Sequence, residues 1–158
     1  MPQNTATGDA TFAARIEKLR EAMKEFGLQA VVIEPGPAMQ YLTGVRWGRS
    51  ERTFALVVPL KGDLGFVLPG FEEMRAKELI HEGADIRVWQ EDESPYQLIT
   101  QMLRDRGVSS GRVGMDPSVR FFIADGVKKL APGLNYVSAG QVLKAAGVDT
   151  TSRPPGKR

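Results

Sequence analysis

The sequence predicts an α/β domain built on a mixed sheet. Short apolar runs rich in β-branched residues alternate with amphipathic helical stretches, which is the signature of layered α/β structure. Two of those runs flank a tight turn, Pro59-Leu60-Lys61-Gly62-Asp63, so at least one strand pair is antiparallel. At 158 residues the chain has room for one compact domain and not two.

Each element follows from local chemistry. Phe12, Ile16, Leu19, Met23 and Phe26 recur at spacings of four and three, which predicts a helix over residues 10–26 that Gly27 ends. Ala30-Val31-Val32-Ile33 reads as a strand buried on both faces, and Glu34-Pro35-Gly36-Pro37 as a turn. Residues 38–43 make a short helical turn closed by Gly44, and residues 45–53 form a polar, arginine-rich loop. Residues 54–58 and 64–68 are the arms of the hairpin, residues 72–81 a helix and residues 85–89 a strand. Ser94-Pro95-Tyr96-Gln97 is a helix start, with Ser as cap, Pro in the first turn and Gln97 placed to close a capping box. That helix turns Leu98, Ile99, Met102 and Leu103 inward and stops at Gly107. Residues 112–115 form a strand, Asp116-Pro117 starts the next helix by the same cap-and-proline logic, and residues 135–137 and 139–146 give a last strand and a closing helix.

Composition then removes whole classes of function. Apolar residues at 42% and charged residues at 25% are globular values. Without cysteine there is no disulfide scaffold, thiolate nucleophile or Cys-based metal site. No apolar run is long enough to span a bilayer, and the N-terminus lacks a basic start and apolar stretch, so a cytoplasmic protein without a membrane partner is expected. The net charge of +2 arises from Arg153, Lys157 and Arg158 near the end. The remainder is close to neutral and lacks the positive field that holds a phosphate backbone, so no nucleic-acid partner is expected. Residues 1–10 are read as a disordered leader, 11–147 as the domain and 148–158 as a disordered basic tail.

Little catalytic chemistry is visible. His81 is the one histidine, so a HExxH pair is impossible, and its place at a helix C-terminus explains it without a ligand role. Glu72-Glu73 and Glu91-Asp92-Glu93 read as helix-start and loop residues. There is no GxSxG elbow, and neither Gly62–Gly65 nor Gly107–Gly114 lies between a strand and a helix N-terminus, where a phosphate cradle must lie. Asp116 is better explained as a cap than as a phospho-acceptor. One stretch, Val45-Arg46-Trp47-Gly48-Arg49-Ser50-Glu51-Arg52, combines planar guanidinium forks with a large aromatic face. That combination suits a carboxylate-bearing ligand or a protein partner as well as it suits a solvated loop with Trp47 folded onto the core.

Taken in order, RIEKLREAMKEFGLQAVVI, PGPAMQYLTG, the arginine-containing loop, FALVVPLKGDLGFVLP and GRVGMD resemble the N-terminal domain of the creatinase, prolidase and aminopeptidase P family, the pita-bread metallopeptidases, over residues 12–145. The resemblance implies a three-layer α/β/α domain with a mixed, roughly six-stranded sheet. In whole members this domain precedes a catalytic domain whose Asp, His and Glu ligands hold divalent metal such as manganese or zinc; no cofactor is expected on this chain. Where the family continues into a further helix, this sequence runs Ala146-Gly147-Val148-Asp149 into TTSRPPGKR, so the chain is expected to be inactive alone. By resemblance it is an accessory and dimerisation domain, its partners a second copy or a separate catalytic domain, and Trp47, Arg49 and Arg52 are the residues that meet substrate or partner. The alternative is a free-standing module that binds a small carboxylate or dipeptide through the same loop.

Overall fold

The computed structural model describes residues 2–80 and 83–148, with side chains from residue 10 onward. In chain order the elements are α1 (Pro2–Phe26), β1 (Leu28–Ile33), α2 (Pro37–Thr43), β2 (Ala55–Pro59), β3 (Gly65–Pro69), a 3₁₀ turn (Gly70–Glu72), α3 (Glu73–Leu79), β4 (Asp85–Trp89), α4 (Pro95–Asp105), β5 (Gly111–Met115), α5 (Phe121–Leu130), β6 (Leu134–Ser138) and α6 (Gly140–Ala145). The strands form one sheet in the order β4-β3-β2-β1-β5-β6. β1 pairs antiparallel with β2, and β2 antiparallel with β3; the other pairings are parallel. β2 therefore runs against the other five, and the mixed sheet expected from the hairpin is present.

The strand sequences divide the core by simple alternation, because successive side chains of a strand face opposite sides. Val31, Ile33, Leu56, Val58, Phe66 and Leu68 point to one face, where they meet Ile16, Leu19 and Met23 of α1, Met39 and Leu42 of α2, Ala76 of α3 and Val142 and Leu143 of α6. Ala30, Val32, Ala55, Val57 and Val67 point to the other, against Ile99, Met102 and Leu103 of α4 and Val127 of α5. Both faces of the sheet are covered, which is why its inner strands read as unbroken apolar runs. Among the described residues no helix is long and apolar enough to cross a membrane.

Several local expectations hold in detail. Gly44 closes α2 in the left-handed conformation, φ 78°, a region costly for any residue with a Cβ. Ser94 caps α4 by accepting from the Gln97 N–H. The reciprocal Gln97 bond of a capping box is not among the described hydrogen bonds; instead Glu93 accepts from the Gln90 N–H. Val148, assigned by sequence to the tail, is buried and donates its N–H to Leu143. His81 and the tail from residue 149 lie outside the described residues.

Two helix starts differ from the sequence expectation: α1 begins at Pro2 and not at residue 10, and the helix after β5 begins later than expected. Asp116-Pro117 does not start a helix; α5 begins at Phe121. Asp116 is buried, donates its N–H to Val32 and accepts from both the N–H and the hydroxyl of Ser118, forming a closed local turn. Arg120 then stays extended at ψ 147°, with its N–H donated to Glu34 and not to a capping side chain. A tertiary contact has displaced the helix start that the local signal indicates.

The sheet edge at β4 carries its own electrostatic network. The Asp85 carboxylate accepts from Arg87 (2.8 Å) and Arg106 (2.9 Å), and Arg87 also reaches Asp105 (2.8 Å). Charges on an edge strand discourage further strand pairing. Hydrogen bonding from Arg87, then from Arg106, holds the Asp85 carboxyl below its ordinary pKa despite partial burial. A carboxyl with a depressed folded-state pKa stabilises the fold above its unfolded pKa of about 4, and this is lost as pH falls through the folded value. Asp85→Asn is expected to cost up to about 1 kcal/mol at neutral pH. The difference from wild type should shrink as pH falls from the ordinary carboxylate range through the lowered folded-state value, as read from urea unfolding midpoints across the acid range.

Candidate functional site

Strand direction places the candidate loop. The C-terminal ends of β1, β3, β4, β5 and β6 lie at one end of the sheet, together with the entry into β2. Residues 44–54, which lead into β2, therefore share that end with the segments that follow β1, β3, β4 and β5. The chain leaves β1 toward the α1/α2 layer and leaves β5 toward the α4/α5 layer. The neighbouring ends of β1 and β5 thus open a crevice of the kind where α/β sheets place ligands.

That crevice is filled from within. Glu34, directly after β1, is fully buried. Its carboxylate accepts from the Arg120 backbone N–H (2.8 Å), from Arg120 Nε (3.1 and 3.3 Å) and from Arg120 Nη2 (2.7 Å). Arg49 Nη2 stands 3.9 Å from the same carboxylate and donates to Ser118 Oγ (3.3 Å) and to the Pro35 carbonyl (3.5 Å). Arg120 Nη2 also donates to the Ser50 carbonyl at 2.6 Å. No buried side-chain polar atom among the described residues lacks a hydrogen-bond partner.

The three residues that the sequence singles out are not brought together around one opening. Trp47 turns half inward, with its ring 4.5 Å from that of Phe54 and the Arg75 guanidinium 4.5 Å above it. Arg49 is drawn to Glu34 and Ser118 as described. Arg52 pairs with Glu91 (2.6 Å) and lies over the Phe71 ring (5.2 Å). The forks of Arg49 and Arg52 are engaged by the chain's own acids, while Arg46 is exposed. Among the described residues no His, Asp and Glu side chains are grouped as metal ligands.

Sequence reading missed two features. Glu34 was assigned to a turn; the signal available was an ionisable residue set directly against a fully buried strand, which demands a partner. The second is a set of exposed apolar side chains: Phe71 (68% exposed), Met74 (81%), Phe121 (80%) and Phe122 (43%). Phe71 and Met74 follow β3, Phe121 and Phe122 follow β5, and Arg52 and Arg120 lie over Phe71 and Phe122 respectively. These side chains stand exposed on segments that follow parallel strands at one end of the sheet.

Comparison with known proteins agrees with this architecture. The model of the creatinase/prolidase N-terminal domain matches residues 15–146. An uncharacterized peptidase of Schizosaccharomyces pombe is 34% identical over 90% of this chain, and the match takes in 35% of that relative. The crystal structure of the dipeptidase PepE from Mycobacterium ulcerans superimposes with a TM-score of 0.75 at 30% identity, covering 85% of this chain and 36% of that one. The creatinase/prolidase N-terminal domain of an X-Pro dipeptidase from Streptococcus pyogenes gives a TM-score of 0.71 and is covered over 97% of its length; at 16% identity that likeness concerns the fold alone. The chain spans about a third of the length of the curated relatives it matches. With that fold, that match and the strand order above, the chain belongs to the creatinase/prolidase N-terminal domain family.

Proposed function

We propose that this chain is the accessory and dimerisation domain of an Xaa-Pro peptidase-like protein, and that it works by docking against a catalytic domain or a second copy of itself, in the cytoplasm. The observation that carries this reading is one of proportion: the chain has the complete fold of a domain that makes up about a third of relatives named as peptidases or dipeptidases. The exposed Phe71, Met74, Phe121 and Phe122 at the strand ends support it, because they supply a contact surface beside the arginine loop. In this reading Trp47, Arg49 and Arg52 shape the contact with partner or substrate, and hydrolysis belongs elsewhere. In this reading a divalent metal such as manganese or zinc belongs to the catalytic domain and no step on this chain is assigned to it; among the described residues no side chains are grouped as its ligands.

The test uses the purified chain. Sedimentation velocity is expected to show self-association that weakens in Phe121→Asp. Incubation with Xaa-Pro dipeptides and manganese is expected to give no turnover. Steady hydrolysis, or a stoichiometric metal ion bound by the chain, would sink the accessory reading. A species that stays monomeric up to high micromolar concentration would remove its dimerisation part.

A further inference from the structure

We propose that Glu34 is the positioning residue of the 45–53 loop. Its buried carboxylate fixes the Arg120 guanidinium, and that guanidinium holds the loop by the Ser50 carbonyl, so that Trp47, Arg49 and Arg52 are presented in one arrangement. The functional part of this inference rests on the accessory reading above; the mechanical part stands on geometry alone.

The loop has little means of ordering itself. Its internal hydrogen bonds are short-range: Arg52 N–H and Ser50 Oγ at 3.1 Å, the return of the Ser50 hydroxyl to the Arg52 carbonyl at 3.4 Å, and Val45 N–H to Thr43 Oγ1 at 3.2 Å. Everything else that restrains it comes from outside. Arg52 is tied to Glu91, but the Glu91 side chain is 78% exposed, and such pairs are screened and weak. Trp47 is held by stacking on Phe54. In the middle of the loop, Arg49 is held by Ser118 and the Pro35 carbonyl with Glu34 at 3.9 Å, and Ser50 is held by Arg120, which is fixed by Glu34, the one carboxylate in this network that is 0% exposed.

The geometry of Arg120 makes the link directional. A planar guanidinium can face one acid with two parallel donors and still offer its outer edge to a third acceptor. Here Nε and Nη2 face Glu34, and Nη2 also reaches Ser50. Lysine could keep the ion pair but cannot make both contacts in fixed relation. A buried ion pair is a poor source of net stability compared with an apolar side chain of similar size, and its best-attested use is to specify one arrangement. The arrangement specified here joins three segments: the turn after β1, the loop before β2 and the turn after β5.

The test compares backbone relaxation of the amides of residues 46–52 in the full chain for wild type, Glu34→Gln, Arg120→Lys and Leu143→Ala. In wild type these amides should show order parameters near those of rigid backbone, about 0.85; in Glu34→Gln and Arg120→Lys they should fall towards about 0.6 while strand amides stay rigid. Leu143→Ala removes a fully buried side chain of α6, an element that supplies no residue to the latch, and its loop should remain as ordered as wild type. Should Glu34→Gln fail to fold, Arg120→Lys carries the same expectation with the charge pair kept. Unchanged loop order in the folded latch variants, or equal loosening in Leu143→Ala, overturns the proposal. Sedimentation of the same variants separates the two readings. Loosened loops with weakened self-association support both, and loosened loops with unchanged self-association leave Glu34 as the positioning residue while removing this loop from the docking surface.

Discussion

Glu34→Ala is expected to destabilise the domain by about 3–5 kcal/mol, the range for removing one partner of a buried ion pair. The carboxylate has no exposed surface and accepts three donors of Arg120, counting its backbone N–H, with Arg49 close by. Alanine leaves two guanidinium groups facing each other across an empty crevice and strips an acceptor from a backbone N–H. The Arg120 and Arg49 side chains are 27% and 33% exposed, so both can turn partly to water, which favours the lower half of the range. Glu91→Ala removes an exposed acid at a comparable distance from its arginine and should cost well under about 1 kcal/mol. Urea unfolding of the two variants side by side measures the contrast. A double-mutant cycle with Arg120→Ala should show strong coupling, because once Arg120 is gone the buried Glu34 keeps only Arg49 at 3.9 Å. Equal, small losses for Glu34→Ala and Glu91→Ala would show that the crevice is wet and the pair unimportant.

Gly65→Ala is expected to cost about 1–3 kcal/mol through overpacking, even though glycine inside a strand is ordinarily a weakness that alanine relieves. A Cβ at this position of β3 would lie 1.9 Å from the Met102 sulfur and 2.6 Å from its methyl carbon, and Met102 is fully buried on α4. The methionine is flexible, but it is 0% exposed, so its displaced sulfur and methyl must repack within an interior that is already close-packed. The sign of the effect should reverse when the obstacle is removed. In a Met102→Ala background, itself destabilised by about 2–5 kcal/mol, Gly65→Ala should be neutral or stabilising. Thermal midpoints of the four proteins in this cycle decide the matter. A loss of the same size in both backgrounds would mean that strand geometry, not the methionine, demands glycine at residue 65.

Much of the fold was legible because its signals are local. The hairpin declared itself through residues 59–63, the ends of α1 and α2 through Gly27 and Gly44, and the start of α4 through Ser94. The candidate loop was legible as a loop, and the family followed from motif order. Its geometry was not legible. Nothing in the spacing of Arg46, Arg49 and Arg52 says that Arg49 turns to an acid 15 positions earlier, or that Arg52 turns to one 39 positions later. Asp116-Pro117 shows the same limit from the other side: a good local helix start was overruled when Arg120 was drawn to Glu34.

By itself the sequence determined which segments are strands and helices and that the sheet is mixed, because periodicity and turn chemistry act between residues a few positions apart. The tertiary structure alone decided the partners of its charges. Glu34 and Arg120 are separated by 86 positions and meet because β1 and β5 lie side by side in the sheet. That adjacency is a product of packing the whole chain into two layers of helix around six strands, and no local pattern in either segment encodes it.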